Sequence, residues 1–283
     1  MLRRITKLFR EPAFKEAPLT VIGRAVRWPV SVALGRSPVF ELVNGGAKLR
    51  VPADMRYTSL SAFLLRDAIE PELHYLQKFV GKGDIFVDVG ANIGLFTLKV
   101  APHAARVVSV EPGEAAGTQL DANIALNGFS NVTVVRKALA DKPGTAALHH
   151  NPLGDDPQAF SLISDGTDSG SEQVEVTTLD MLVRSLDLPR VDCIKIDVEG
   201  AESMVIAGGI ETINAYHPTV IFEINCPTLD KAGGDPAAAW NALAALGYEF
   251  YRMQENGALT ALPVRPTDFS NIVARHHDSA VLH

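Results

Sequence analysis

Asp84-Ile85-Phe86-Val87-Asp88-Val89-Gly90-Ala91-Asn92-Ile93-Gly94-Leu95-Phe96-Thr97 reads as a strand, a glycine turn and the start of a helix. The apolar run 85–89 is short and rich in branched residues, as expected of a strand buried on both faces. Gly90 lets the backbone turn sharply and come close to a ligand. Asn92 is placed to cap the helix, and Gly94 lets that helix pack close to the strand.

The same alternation continues towards the C-terminus. Strands are expected at 107–110, 132–135, 193–196 and 220–224, with helices at 93–101, 114–127, 179–186 and 201–213. After a helix over 236–246, residues 248–252 and 271–275 read as a terminal strand pair. These runs give a doubly wound α/β fold around a mostly parallel sheet of seven strands. On the N-terminal side, a helix from Glu70 with Pro71 in its first turn sets Leu73, Leu76, Phe79 and Val80 on one face. Gly81-Lys82-Gly83 ends it. Residues 1–50 are weakly periodic and hold Pro12, Pro18, Pro29 and Pro38, so they are assigned as a helical or irregular extension to a catalytic domain over 51–283. Residues 149–172 are rich in Gly, Asp, Ser and Pro and read as a long loop over the site or a hairpin insertion.

Charge narrows the class of partner. The net charge of -7 hides an asymmetry: residues 1–50 carry +7 and the remainder carries -14. An acidic body argues against a nucleic-acid backbone as partner. The basic arm suits packing on the catalytic domain with its arginines solvated, an anionic membrane surface, or helix pairing in a homodimer; the first is preferred. Cys193 and Cys226 lie in apolar runs without metal-ligand spacing, which reads as buried free thiols in a reducing compartment. Arg24 and Arg27 interrupt the apolar stretch 19–34, and no run reaches about 18 apolar residues. The expectation is a cytoplasmic protein, with the inner membrane surface as the place for any peripheral contact.

The glycine turn has the form G-A-N-I-G, whereas a dinucleotide site presents G-x-G-x-x-G, so a side chain stands where a pyrophosphate needs bare backbone. Asp88, two residues before Gly90, suits a cationic ammonium or sulfonium compound better than a diphosphate. Glu111 ends the second strand, from which a carboxylate reaches both hydroxyls of a ribose. A second acidic block, Lys195-Ile196-Asp197-Val198-Glu199-Gly200-Ala201-Glu202, also falls at a strand-to-helix junction. Asp197 and Glu199 should therefore face the same crevice as Asp88 and Gly90, where carboxylates orient or deprotonate a substrate hydroxyl. Glu202 reads equally well as a helix cap. Glu223, inside an apolar run, is either a third acidic wall or the partner of Lys195 in a salt bridge. His149 and His150 are weaker candidates for a base. No ligand spacing calls for a metal. A nicotinamide oxidoreductase and a non-catalytic scaffold stay as alternatives.

The block 88–97, Glu111-Pro112, Leu179-Asp180 and the Asp197-Val198-Glu199-Gly200-Ala201-Glu202 run resemble the FkbM family of S-adenosylmethionine-dependent methyltransferases, over residues 57–275. The resemblance implies the shared class I methyltransferase fold and S-adenosyl-L-methionine as cofactor. It places Asp88, Gly90, Ala91, Asn92 and Gly94 around the methionine end, Glu111 on the ribose, and Ala138 and Leu139 near adenine. It also implies O-methylation of a hydroxyl on a sugar, polysaccharide or polyketide-type acceptor. Asp197 is then the base or orienting group, Glu223 the second choice and Glu199 a substrate-binding partner.

Overall fold

The computed structural model describes residues 14, 17–54, 57–150, 160–162, 170–224 and 235–279. Among the described residues the main elements before the α/β body are α1 (Pro18–Ala33), an antiparallel ribbon of β1 (Val39–Glu41) and β2 (Lys48–Arg50), α2 (Tyr57–Leu65) and the short α3 (Pro71–His74). The α/β body follows as β3 (Ile85–Val89), α4 (Leu95–Val100), β4 (Arg106–Val110), α5 (Glu114–Asn127) and β5 (Val132–Val135). Next come β6 (Ala138–Leu139), β7 (Gly144–His150), β8 (Phe160–Ser161), β9 (Ser171–Thr177) and α6 (Leu179–Ser185). The chain continues through β10 (Cys193–Ile196), α7 (Glu202–Ala207), α8 (Ile210–Tyr216) and β11 (Thr219–Ile224). It closes with α9 (Ala238–Ala245), β12 (Tyr248–Met253), β13 (Leu259–Ala261) and β14 (Ser270–His276).

The central sheet runs β13-β12-β14-β11-β10-β3-β4-β5. Strands β5, β4, β3, β10 and β11 are mutually parallel, and β14 lies antiparallel between β11 and β12. This is the expected doubly wound α/β fold, with β13 as an eighth strand beyond the seven read from sequence. Every residue of β3, β10 and β11 is buried, and alternate residues serve opposite faces. Val87, Ile194 and Phe222 pack with Leu179, Val205 and Leu243 on one side. Phe86, Cys193 and Ile221 pack with Leu73, Phe79 and Phe96 on the other. Covering both faces is what makes these strands continuous Val/Ile runs.

Chain order reverses between β3 and β10, so a crevice opens at their carboxyl ends. Parallel register sets Asp88 beside Lys195 and Ile196 beside Phe222. That pairing delivers both acidic blocks to one place.

Several details differ from the sequence reading. The helix read over 201–213 is two helices, broken at Gly208-Gly209. A Cβ at Gly208 would lie 2.1 Å from the Ala140 carbonyl oxygen, and one at Gly209 2.6 Å from Leu179, so close packing selects glycine against helix continuity. The helix expected from Glu70 also breaks, at Tyr75 (φ -101°, ψ 21°), yet Leu73, Leu76, Phe79 and Val80 are all buried as the spacing predicted. Asn92 does not cap α4: the N-cap is Gly94, at φ 98° with no side-chain cap. Gly94 instead gives room to Leu120 of α5, whose Cδ1 would lie 2.7 Å from an added Cβ. The segment around 149–172 contains hairpin strands of a separate four-stranded sheet, β6-β9-β7-β8, with 151–159 and 163–169 outside the described residues.

The N-terminal elements share a core with the α/β body. Val21, Trp28, Leu42, Leu49 and Val51 cluster with Phe63, Leu64, Ile93 and Leu98, and the Trp28 and Phe63 rings lie 5.1 Å apart. Asn123 and Asn127 of α5 accept hydrogen bonds from the β2 amides of Arg50 (2.9 Å) and Lys48 (2.6 Å). Among the described residues no helix is long and apolar enough to cross a membrane. Cys193 is buried and free, while Cys226 lies outside the described residues.

Candidate active site

The glycine turn is a nest of backbone amides closed by Glu111. Gly90 (φ 79°) and Asn92 (φ 50°) both take left-handed backbone, which glycine adopts freely and asparagine tolerates. The N–H groups of Gly90 and Ala91 donate to the Val110 carbonyl at 2.9 and 3.0 Å. Glu111 Oε2 accepts from the Asn92 amide and Oε1 from the Gly113 amide, each at 2.8 Å. Burial pushes the Glu111 carboxyl up to about 7, against the pull of those two amides. Each oxygen keeps a lone pair for a further donor. Asn92 Oδ1 is buried with no hydrogen-bond partner, an unusual state for a polar atom in a folded interior.

Asp88 sits deeper. Its Oδ2 accepts from the Thr97 amide (3.0 Å) and hydroxyl (2.6 Å), and Thr97 Oγ1 lies 2.7 Å from Ser109 Oγ. Burial raises its pKa to about 6, while the Thr97 bonds and the Lys195 charge act the other way. Ala138 and Leu139 on β6 are buried apolar residues, and Arg136 just before them crosses Gly117 of α5 to reach Gly113 O (3.2 Å) and Asp121 (2.9 Å).

Lys195 is the centre of the second cluster. It is 1% exposed, with Nζ 3.3 Å from Asp197 Oδ2 and 5.1 Å from the centre of the Phe96 ring. Burial opposes its charge, but Asp197, Glu70 and Glu223 together hold its pKa above the usual lysine range. The Asp197 side chain keeps 34% of its surface open to the crevice. The Lys195–Glu223 bridge considered from sequence is therefore a Lys195–Asp197 bridge. Glu223 Oε1 is buried and has no partner, and burial together with Asp197, Glu199 and Glu202 lifts its pKa well above the carboxylate range. Glu202, Ser203, Asp235 and Pro236 line a small pocket with it.

Glu199 (φ 54°) and Gly200 (φ 104°) form a tight left-handed turn after Asp197. Glu202 fixes that turn, since its Oε1 accepts from the amides of Val198 (3.2 Å) and Gly200 (3.1 Å). Burial pushes Glu202 up to about 7. The Gly90 backbone lies against the Asp197 carbonyl, where an added Cβ would approach to 1.9 Å. The two acidic blocks are thus one site.

Sequence reasoning missed Glu70, Glu72 and Asn271. Asn271 of β14 is paired with Glu223 in register and donates to Glu70 (3.2 Å) and Glu72 (3.4 Å). Glu70 is partly covered as a residue but has an enclosed carboxyl, which burial raises to about 7. The available signal was an acidic pair around Pro71 at the start of an expected amphipathic helix. His149 lies on β7, paired with Ser161 of β8, in the separate sheet. His217, His276 and Asp278 bring ligand atoms within 4.8 Å of one another, but at the opposite end of the central sheet. There His276 Nδ1 already accepts the Asp278 amide at 3.1 Å, so that cluster is not part of this site.

A family model described as the methyltransferase FkbM domain matches residues 88–250. The chain is 27% identical over 224 residues to methyltransferase sdnD of Sordaria araneosa, covering 68% of this chain and 81% of that protein. It is 27% identical over 198 residues to the AMB antimetabolite synthetase AmbE of Pseudomonas aeruginosa, covering 57% of this chain but 9% of that protein. A crystal structure of methyltransferase FkbM from Methylobacillus flagellatus superposes with a TM-score of 0.47 at 15% identity, covering 77% of this chain and 54% of that one.

Proposed function

The chain belongs to the FkbM methyltransferase family, and from that premise we propose that it is an S-adenosylmethionine-dependent O-methyltransferase acting on a hydroxyl of a sugar, polysaccharide or polyketide-type acceptor. When bound, the cofactor supplies an electrophilic methyl group on a sulfonium centre. The observation that carries the reading is the buried, partnerless Asn92 Oδ1 beside Glu111. An acceptor atom left without a donor in a closed turn fits a ligand that brings an ammonium or amide N–H group.

The residues fit the rest of such a ligand. Glu111 would take two ribose hydroxyls on the lone pairs its amide partners leave free. Asp88 adds negative charge behind the turn, and Ala138 and Leu139 offer an apolar surface for a purine. On the acceptor side, Asp197 is the base or orienting group: it is open to the crevice, and Lys195 holds it from beneath at 3.3 Å. The acceptor hydroxyl donates its proton to Asp197, which then releases it to solvent. Glu223, kept protonated by burial and its acidic neighbours, donates to an acceptor oxygen rather than removing a proton. Glu199 binds the acceptor from the turn above. Alignment of the oxygen by these groups supplies much of the rate, because positioning replaces a bimolecular encounter.

Calorimetric titration with S-adenosylhomocysteine and with NADH tests the cofactor. The first should bind and the second should not, and Asn92→Ala should weaken S-adenosylhomocysteine about tenfold. Stability, read as the melting temperature, should fall only by about 1–2 kcal/mol, the cost of holding alanine at a φ of 50°, because Oδ1 has no bond to lose. Binding of NADH alone would transfer the site to the nicotinamide class. Transfer of a labelled methyl group to hydroxylated glycans, lost in Asp197→Asn, tests the reaction.

A further inference from the structure

Helix α1 is apolar on two opposite sides. Val21 and Trp28 face the core, where Trp28 packs on Phe63, and Arg24 donates from its guanidinium to the Leu64 carbonyl at 2.7 Å. Leu19, Ile22, Val26 and Val30 form a row on the other side at helical spacing, and Leu34 extends it at the C-cap. Their exposures are 84, 46, 67, 56 and 59%. One exposed aliphatic residue is ordinary, but a continuous row along a helix marks a surface that meets something apolar.

Charge identifies what it meets. Arg27 and Arg36 are exposed beside the row, and no acidic residue occurs between Ala17 and Phe40. Residues 1–16 add Arg3, Arg4, Lys7, Arg10 and Lys15 against Glu11 and Glu16, whereas residues 51–283 carry -14. Along α1 and the turn after it, aliphatic side chains therefore coincide with cations in an otherwise acidic protein. An anionic bilayer satisfies both, with the aliphatic row at the boundary of headgroups and acyl chains and the arginines among the headgroups.

We propose that α1 is an interfacial helix that docks the protein flat on an anionic membrane through Leu19, Ile22, Val26 and Val30. The test is sedimentation of the full chain with phosphatidylcholine vesicles, with and without phosphatidylglycerol, for wild type, Val26→Ser/Val30→Ser and Arg27→Gln/Arg36→Gln. Wild type should bind the anionic vesicles, and neutral ones at least about tenfold more weakly. The valine variant should lose about tenfold or more in partitioning while largely keeping its circular dichroism and melting temperature, since both side chains are more than half exposed among the described residues. The arginine variant should lose the preference for anionic lipid. Absence of binding to anionic vesicles overturns the proposal. So does binding untouched by the valine changes, which would assign it to the basic residues 1–16 alone. A dimer in light scattering that Val26→Ser/Val30→Ser converts to monomer would overturn it too, giving the face to a second copy.

Discussion

Replacing Lys195 by Met removes the cation around which the acceptor side of the crevice is organised, while keeping a side chain of similar length. The lysine is 1% exposed and lies 3.3 Å from Asp197, with Glu70 and Glu223 also acting on it. Breaking a buried pair by removing one partner costs about 3–5 kcal/mol. Because the Asp197 side chain is 34% open, solvent recovers part of that, and the lower end, about 3 kcal/mol, is expected near pH 8. The loss should shrink on acidification. Glu70, raised to about 7, takes up a proton as the pH falls and then needs no cation. Near pH 5.5 the loss should be about 1–2 kcal/mol, set by Asp197 and lost packing. The raised pKa of Lys195 keeps it charged across this range, so its own titration does not enter. Urea denaturation followed by the fluorescence of Trp28 and Trp240 at both pH values measures the difference. Equal losses at the two pH values, or less than about 1 kcal/mol near pH 8, would refute the view that Lys195 neutralises a coupled acidic cluster.

Other consequences follow from the same contacts. Glu70, Glu111 and Glu202 are each raised to about 7 and Asp88 to about 6, so the folded state binds more protons than the unfolded chain above about pH 4. Their contribution is greatest below the unfolded values and is lost as pH rises through the folded ones, so ligand-free stability should fall between about pH 4.5 and 7; a rise over that interval in urea midpoints would contradict the burial of these groups. Thr97→Val deletes the 2.6 Å bond to Asp88 and should cost about 1.5–3 kcal/mol near pH 7, with a smaller loss once acid protonates Asp88; an unchanged denaturation midpoint would count against it. Gly208→Ala puts a methyl 2.1 Å from the Ala140 carbonyl and should cost about 1–3 kcal/mol in the same assay, although alanine favours helix; stabilisation would mean that α7 and α8 can move apart.

Much of the fold was legible because local signals and burial agree. Five parallel strands were readable as Val/Ile runs, and β3, β5 and β10 have the bounds their composition suggested. Helix α5 likewise matches the expected residues 114–127. The misreadings occur where a tertiary contact outweighs local pattern. Gly208-Gly209 interrupts a helical period because Ala140 and Leu179 occupy the space a side chain would need. Asn92 has the residue type of a cap, but its backbone is held left-handed in the turn and its amide is bonded to Glu111.

The candidate site divides in the same way. Asp88, Gly90, Glu111, Asp197, Glu199 and Glu223 could be named from sequence because each stands at or near a strand's carboxyl end, and parallel pairing brings those ends together. Their partners could not. That Lys195 serves Asp197 rather than Glu223, that Glu202 holds the turn, and that Glu70 and Glu72 reach the crevice through Asn271 all depend on distances between distant parts of the chain. Sequence alone determined the strand-turn-helix unit, the sheet type and the acidic character of the crevice, because hydrophobic period and glycine geometry act over a few neighbouring residues. Only the tertiary structure decided which acids are paired, which are pushed towards neutrality and which face of α1 is left bare, because burial and Coulomb energy depend on what the rest of the chain places within a few ångströms.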